Sequence, residues 1–182
     1  MRGEGITTSD SYLWDEFRLG DDQAFVEIYK KFVDVLYRYG LKFTADDQLV
    51  KDCVQELFID LYERRGNLGE SDNIKFYLLV SLKRRLIKIL RSKNIYSSLS
   101  QEDIPFLIVY SPEDETLKEE QMELMNKTLN ELTPRQKEAI YLRFMNGLSY
   151  EEICEIMAMN YQSIRNLIFR AEEKMRGIIS KS

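Results

Sequence analysis

Between residues 160 and 178 lie side chains suited to reading base pairs. Ile164, Leu167, Ile168, Ala171 and Met175 recur on one apolar stripe. The other side of the same predicted helix presents Gln162, Ser163, Arg165, Asn166, Phe169 and Arg170. Arg, Asn and Gln can pair bidentately with base edges in the major groove. Arg170, Lys174 and Arg176 could set the register through phosphates. Two capped helices in a bundle, with a solvated polar face, satisfy the same pattern, so spacing alone leaves both readings open.

A second concentration of chemistry lies upstream. Residues 75–93 carry 7 basic side chains and no acidic one. The flanks are opposite in sign: 9 basic against 16 acidic over 1–74, and 2 against 9 over 94–133. The net charge of −5 therefore conceals a sharply basic helix between two acidic stretches. Cations without carboxylates on one helix repel one another, and intra-helical pairing cannot explain them. A polyanionic partner is the economical reading.

Other chemistries lack their residues. The chain has no histidine, which removes imidazole acid–base catalysis, Ser-His and Cys-His pairs and every His-containing zinc site. Cys53 and Cys154 each sit in an apolar-periodic stretch and read as small buried hydrophobes. No P-loop, metal-ligand cluster or activated nucleophile emerges, so an enzyme, a cofactor and a small-molecule substrate are not expected. The start, M-R-G-E-G-I-T-T-S-D, has no signal-peptide h-region, and the longest apolar run, 104–110, contains Pro105. Such a run is far short of the ~20 residues that span a bilayer. A soluble, cytoplasmic protein is expected.

The elements that must position these residues are helical. Only 8 Gly and 3 Pro occur in 182 residues, with Leu, Ile, Lys and Glu abundant. After a short amphipathic segment ended by Gly20, Asp21 and Asp22 suit the start of a helix carrying Phe25, Ile28, Tyr29, Phe32, Leu36 and Tyr39, with Gly40 at its end or at a bend. A second helix, about 45–65, buries Val54, Leu57, Phe58, Leu61 and Tyr62 and turns Asp52, Gln55, Glu56 and Glu63 to solvent. Residues 65–73 read as a loop. The basic helix follows, with Phe76, Leu79, Leu82, Leu86 and Ile89 or Leu90 inward and Lys83, Arg84, Lys88 and Arg91 largely outward. Residues 94–116 form an acidic linker whose apolar patch is out of place on a solvated tether and is expected to dock. Beyond it, Leu124, Met125, Leu129 and Leu132 are core candidates. Thr133, Pro134 and Gln136 then spell a helix start whose inner face takes Ile140, Tyr141 and Phe144. Asn146-Gly147 ends that helix, Ser149 with Glu152 starts the next, and the turn 158–160 leads into the last. The expected fold is all-α, with two small helical domains joined by a linker.

Five segments, in order and at the expected spacing, resemble the extracytoplasmic-function (ECF) type of RNA polymerase sigma factor. They are D-C-V-Q-E-L-F-I-D-L-Y (52–62), N-I-K-F-Y-L-L-V-S-L-K-R-R-L-I-K-I-L-R (73–91), L-T-P-R-Q-K-E-A-I-Y-L-R-F (132–144), G-L-S-Y-E-E-I-C-E-I-M (147–157) and N-Y-Q-S-I-R-N-L-I-F-R-A (160–171). The resemblance implies sigma domain 2, a bundle of three to four helices over 10–93, a linker over 94–116, and sigma domain 4 with its helix-turn-helix over 117–178. It implies that Asp52, Gln55 and Glu56 meet core RNA polymerase. It assigns Asn67, Asn73, Lys83, Arg84, Lys88 and Arg91 to the minus-ten element of promoter DNA, with the loop 66–73 holding a flipped base. Asn160, Tyr161, Gln162, Ser163, Arg165, Asn166 and Arg170 fall to the minus-thirty-five element. It also implies a linker that passes through the polymerase, and an anti-sigma factor as partner, since the style is that of the branch paired with membrane-spanning anti-sigma proteins.

Two positions depart from the family pattern. Tyr62 stands where Trp is frequent, and Arg84 where Asn is, which leaves the base preference of the melting segment open. A stand-alone helix-turn-helix regulator would share the carboxy-terminal half but leave the basic helix and the Asp52-Gln55-Glu56 face unexplained.

Overall fold

The computed structural model describes residues 10–93, 95–96, 98–100, 104–108 and 119–180. The opening stretch 1–9 and most of the acidic linker, 109–118 included, lie outside the described residues. Among those described, all regular structure is helical: α1 (Asp10–Arg18), α2 (Asp22–Gly40), α3 (Asp47–Glu63), α4 (Ile74–Ser92), α5 (Glu119–Asn130), α6 (Pro134–Ile140), α7 (Tyr150–Met157) and α8 (Tyr161–Ile179). The chain forms two compact units, Met1–Leu41 with Asp46–Lys88, and Lys42–Ala45 with Ile89–Ser182.

In the first unit the helix boundaries follow local chemistry. Gly20 ends α1 at φ +104°, a conformation that costs glycine little. Asp21 caps α2 by accepting from the Gln23 and Ala24 amides at 2.7 and 3.3 Å, and Asp46 caps α3 through the Leu49 amide at 3.0 Å. The inward stripes are buried: Ile28, Phe32, Leu36 and Tyr39 of α2, Val54, Leu57, Phe58 and Leu61 of α3, and Leu79, Leu82 and Leu86 of α4. Each such side chain contributes about 1.5–3 kcal/mol by leaving water. Gly40 does not have positive φ; its role is contact. A Cβ there would stand 2.6 Å from Val50 Cγ1 and 3.4 Å from Leu86 Cδ1, so α2 ends against α3 and α4 at a point only glycine fits.

The second unit takes in Lys42–Ala45, four of the residues that connect α2 to α3. There the apolar patch of the linker finds its dock. Ile104, Phe106 and Ile108 are buried while Leu107 is exposed, the alternation of an extended strap. The Leu107 amide donates to the Lys42 carbonyl at 2.8 Å, and the Tyr96 hydroxyl to the Phe43 carbonyl at 2.5 Å. The Phe106 ring stands edge-on to Phe43 and Tyr141, with centroids 5.1 and 5.6 Å away.

Two capping boxes, Thr133 with Gln136 and Ser149 with Glu152, start α6 and α7 as their spelling predicts. One expectation fails between them. The helix begun at Pro134 does not run on with one period: after Ile140 it widens into a π turn, Tyr141–Met145, closed by the Asn146 amide on the Tyr141 carbonyl at 3.2 Å. The wider turn shifts the phase, and Phe144, expected inside, is 58% exposed. Gly147 then reverses the chain at φ +69°.

Two outcomes follow from these contacts. Phe106→Ala should cost about 3–5 kcal/mol of local stability, read as a loss of hydrogen-exchange protection at the Leu107 amide with α7 and α8 unchanged. Ala158, at φ 52°, is the non-glycine residue with left-handed backbone in the α7–α8 turn. Ala158→Gly should stabilise the fold by about 0.5–1 kcal/mol, seen as a higher urea midpoint at unchanged slope.

Candidate nucleic-acid and protein interfaces

The first candidate face is built by α3. Its buried stripe leaves Asp52, Gln55 and Glu56 exposed together on the opposite side. Gln48 Nε2 donates to Asp52 Oδ1 at 2.8 Å, one turn earlier. Glu56 is already engaged: Arg85 of α4 donates to it at 2.6 Å and reaches Asp60 with its other guanidinium nitrogen. One of the seven cations of the basic segment is thus paired with carboxylates of a neighbouring helix, which intra-helical spacing could not reveal.

The second face comprises the loop after α3 and the outer side of α4. Arg65–Asn67 form a 3-10 turn, with the Asn67 amide on the Arg64 carbonyl at 2.8 Å. Arg65 donates to the Tyr62 carbonyl at 2.9 Å and lies 4.2 Å over the Tyr62 ring. Tyr62 itself donates to Asp22 at 2.8 Å, and that carboxylate holds the phenol above its usual pKa. At the far end Asn73 caps α4, accepting from the Phe76 amide at 3.0 Å. Asn67 is exposed, whereas Asn73 is half-buried with its side-chain oxygen committed to the cap.

On α4, Arg84, Lys88 and Arg91 are exposed, as expected. Lys83 is not: it is only 8% exposed. Val80, three residues earlier on the helix, is buried as well, so the buried face of α4 is wider than the one stripe predicts. Phe76 is half-buried, and of the pair 89 and 90 it is Leu90 that is inside.

The third face is on α8. Ile164, Ile168 and Ala171 are buried and fix its rotation, leaving Tyr161, Gln162, Arg165, Asn166 and Arg170 exposed and Ser163 half-buried. Asn160 caps the helix through the Ser163 amide at 2.8 Å, so its oxygen serves the fold while its amide nitrogen lies at the helix start. Gln162 Nε2 donates to Asn166 Oδ1 at 3.0 Å, and this link holds two base-reading candidates in one orientation. Phe169 is exposed beside them, and the Tyr161 ring lies 5.7 Å from that of Tyr150.

The sequence reading missed three features. Arg85 was counted with the free cations. Trp14 and Arg18 of α1 bond the 65–73 loop, a link between residues 50 and 55 positions apart that no local pattern encodes. An apolar groove of about 360 Å³ in the second unit is lined by Met125, Leu129, Ile140, Phe144, Met175 and Ile179, with Ile108 of the strap reaching it. Met125 and Met175 were its signal in the sequence. Cys53 is buried and Cys154 half-buried, and burial, then Glu151, pushes the Cys154 thiol up, away from thiolate chemistry. No group of three His, Cys, Asp or Glu side chains among the described residues could hold a metal, and no helix among them is long and apolar enough to cross a membrane.

Comparison with known proteins agrees with this layout. Residues 28–95 match the family model Sigma-70 region 2, and residues 122–175 match Sigma-70, region 4, together two thirds of the chain. The ECF RNA polymerase sigma factor SigM of Bacillus subtilis is 24% identical over 155 residues, covering 85% of this chain and 94% of that protein. The ECF RNA polymerase sigma-E factor of Escherichia coli K12 is 29% identical over 184 residues, covering 91% of each. Among solved structures, CnrH in complex with the cytosolic domain of CnrY shares the fold at TM-score 0.63 and 15% identity, over 96% of this chain and 99% of that one. The sigma factor RpoE of Bartonella quintana, in complex with the anti-sigma factor NepR, does so at TM-score 0.64 and 19% identity, over 87% and 98%. With both sigma regions present in order and relatives that match over most of their length, the chain belongs to the ECF-type RNA polymerase sigma factors.

Proposed function

We propose that this sigma factor divides transcription initiation among the three faces described above. Asp52, Gln55 and Glu56 of α3 attach it to core RNA polymerase. Asn67 in the loop, Asn73 at its edge, and Arg84, Lys88 and Arg91 of α4 engage the minus-ten element, where the loop takes up an unstacked base. Arg165, with Gln162, Asn166, Arg170 and the helix start at Asn160, Tyr161 and Ser163, reads the minus-thirty-five element. The domain division is 10–93 for the first two tasks and 117–178 for the third, joined by 94–116.

The observation that carries this reading is the sidedness of α3, α4 and α8. Each buries an apolar stripe and keeps a distinct polar chemistry outward: acid and amide on α3, cationic on α4, amide and guanidinium on α8. Amide and guanidinium groups on a helix start suit major-groove edges. An all-cationic face suits phosphates at any sequence. Extruding a base costs a few kcal/mol, which contacts to the extruded state must offset.

The protein so read has no active site; polymerase supplies the chemistry, and the sigma factor works in the cytoplasm where polymerase is. An anti-sigma factor is a further partner on this reading, supported by the CnrH–CnrY and RpoE–NepR complexes of its structural relatives.

Titration of the labelled chain with purified bacterial core polymerase at physiological salt should give tight one-to-one binding. Absence of binding at micromolar concentration by the folded protein would instead favour a stand-alone regulator. Two variants should then part the faces. Arg165→Ala should weaken promoter selection by ~1–3 kcal/mol and leave polymerase affinity unchanged. The double change Gln55→Ala, Glu56→Ala should lower polymerase affinity about tenfold, or ~1.4 kcal/mol, and leave the recognition helix intact. Equal loss of both properties in either variant would contradict the division.

A further inference from the structure

The loop between α3 and α4 is too polar and too poor in apolar anchors to hold its own shape, yet its backbone is fixed at the middle. Trp14 Nε1 donates to the Gly69 carbonyl at 2.8 Å, and Arg18 Nε donates to the Leu68 carbonyl at 2.8 Å. Two successive carbonyls are thereby drawn to α1. The donors are themselves held. Trp14 is 1% exposed, with its ring 5.8 Å from Phe17 and 5.2 Å from Tyr77 in the first turn of α4. Arg18 is steadied by Asp15 at 3.0 Å. With the 3-10 turn at one end and the Asn73 cap at the other, the loop is pinned at three places, while Gly66, Asn67, Gly69, Glu70 and Asp72 remain exposed.

The two glycines point the same way. Gly66 and Gly69 do not have positive φ, and a Cβ at either would meet nothing within 4 Å. Neither backbone strain nor internal crowding calls for glycine there. The close approach of a ligand to bare backbone does. A loop whose shape is fixed beforehand does not lose its freedom at the moment of capture, and preorganisation of this kind strengthens binding without adding a contact.

We propose that Trp14 and Arg18 are positioning residues for promoter opening: by holding the Leu68 and Gly69 carbonyls, α1 sets the exposed stretch 66–72 in the shape that receives an unstacked base. This rests on the assignment of that loop to base capture made above. α1 touches no DNA in this role and acts through the loop.

The test uses holoenzyme assembled from the full chain and core polymerase. Its DNA is a promoter recovered from a random duplex pool by the unaltered holoenzyme, with 2-aminopurine placed at each minus-ten position in turn. Trp14→Phe keeps an aromatic ring and removes the N–H donor. Arg18→Met, at a partly exposed side chain, removes the other donor at little risk to folding. Replacement of 66–72 by a Gly-Ser stretch of equal length tests the loop itself.

Arg18→Met and Trp14→Phe should each slow the rise in 2-aminopurine fluorescence by about tenfold to a hundredfold, the scale of loss when a group is misplaced by about an ångström. Polymerase affinity and retention on the minus-thirty-five duplex should be unchanged, and Arg18→Lys should restore part of the rate. An unchanged rate in Arg18→Met, or equal losses in opening and in polymerase affinity, would overturn the proposal. If the Gly-Ser loop opens promoters normally, the assignment of the loop fails, and the proposal with it. If that loop abolishes opening while both point variants are normal, the proposal alone fails.

Discussion

The first unit depends on a run of aromatic contacts that begins at α1. Phe17 has no exposed surface; it lies 5.8 Å from Trp14 and stacks on Phe25 at 5.5 Å, and Phe25 meets Tyr62 edge-on at 5.0 Å. α1 has nine residues, too few to be stable as an isolated helix. Its place is fixed by what its aromatic side chains bury against Phe25 of α2 and Tyr77 of α4. Aromatic rings bring large area and a preferred angle of approach, so the cluster sets direction as well as adhesion. The loop, bonded to α1 and flanked by Tyr62, inherits its geometry from this packing.

Charge is arranged on top of that frame. The seven cations of 75–93 do not act as one uniform face. Arg85 is turned toward Glu56 and Asp60, Lys83 is buried and Lys75 half-buried, which leaves Arg84, Lys88, Arg91 and Lys93 exposed. The pairing of Arg85 also reaches the polymerase-binding candidates, because Glu56 stands between α4 and the outer side of α3. Charges near the surface are screened over about 8–10 Å at physiological salt, so neighbours of this kind matter more to each face than the net charge of the chain.

What was legible in the sequence was local. Caps could be spelled out residue by residue, and Asp21, Thr133, Ser149 and Asn160 all cap where their neighbours predict. The periodic stripes of α2, α3 and α8 gave the right faces because each helix is regular over its whole length. The all-helical fold follows from that local record, and the family from the resemblance of five segments, in order, to known sigma factors. What was not legible involved a distant partner or an interrupted period. Arg85 needed α3 beside it, Trp14 needed Gly69, and Phe106 needed Phe43 and Tyr141. Phe144 was misplaced because the π turn breaks the 3.6-residue count, and nothing in Y-L-R-F-M announces a wider turn.

The contact at Gly40 has a consequence for how this protein would look to a geneticist. α3 carries the candidate polymerase face, and its Val50 stands where a side chain at position 40 would go, with Leu86 of α4 in ordinary contact beside it. Val50 is β-branched and stiff, so it yields little to a newcomer. A lesion at position 40 therefore pushes on α3 through Val50, and a selection would score it as a loss of polymerase binding although the residue touches no partner. Maps of essential surface drawn from such selections would place on the outside of the molecule a position that is wholly within it.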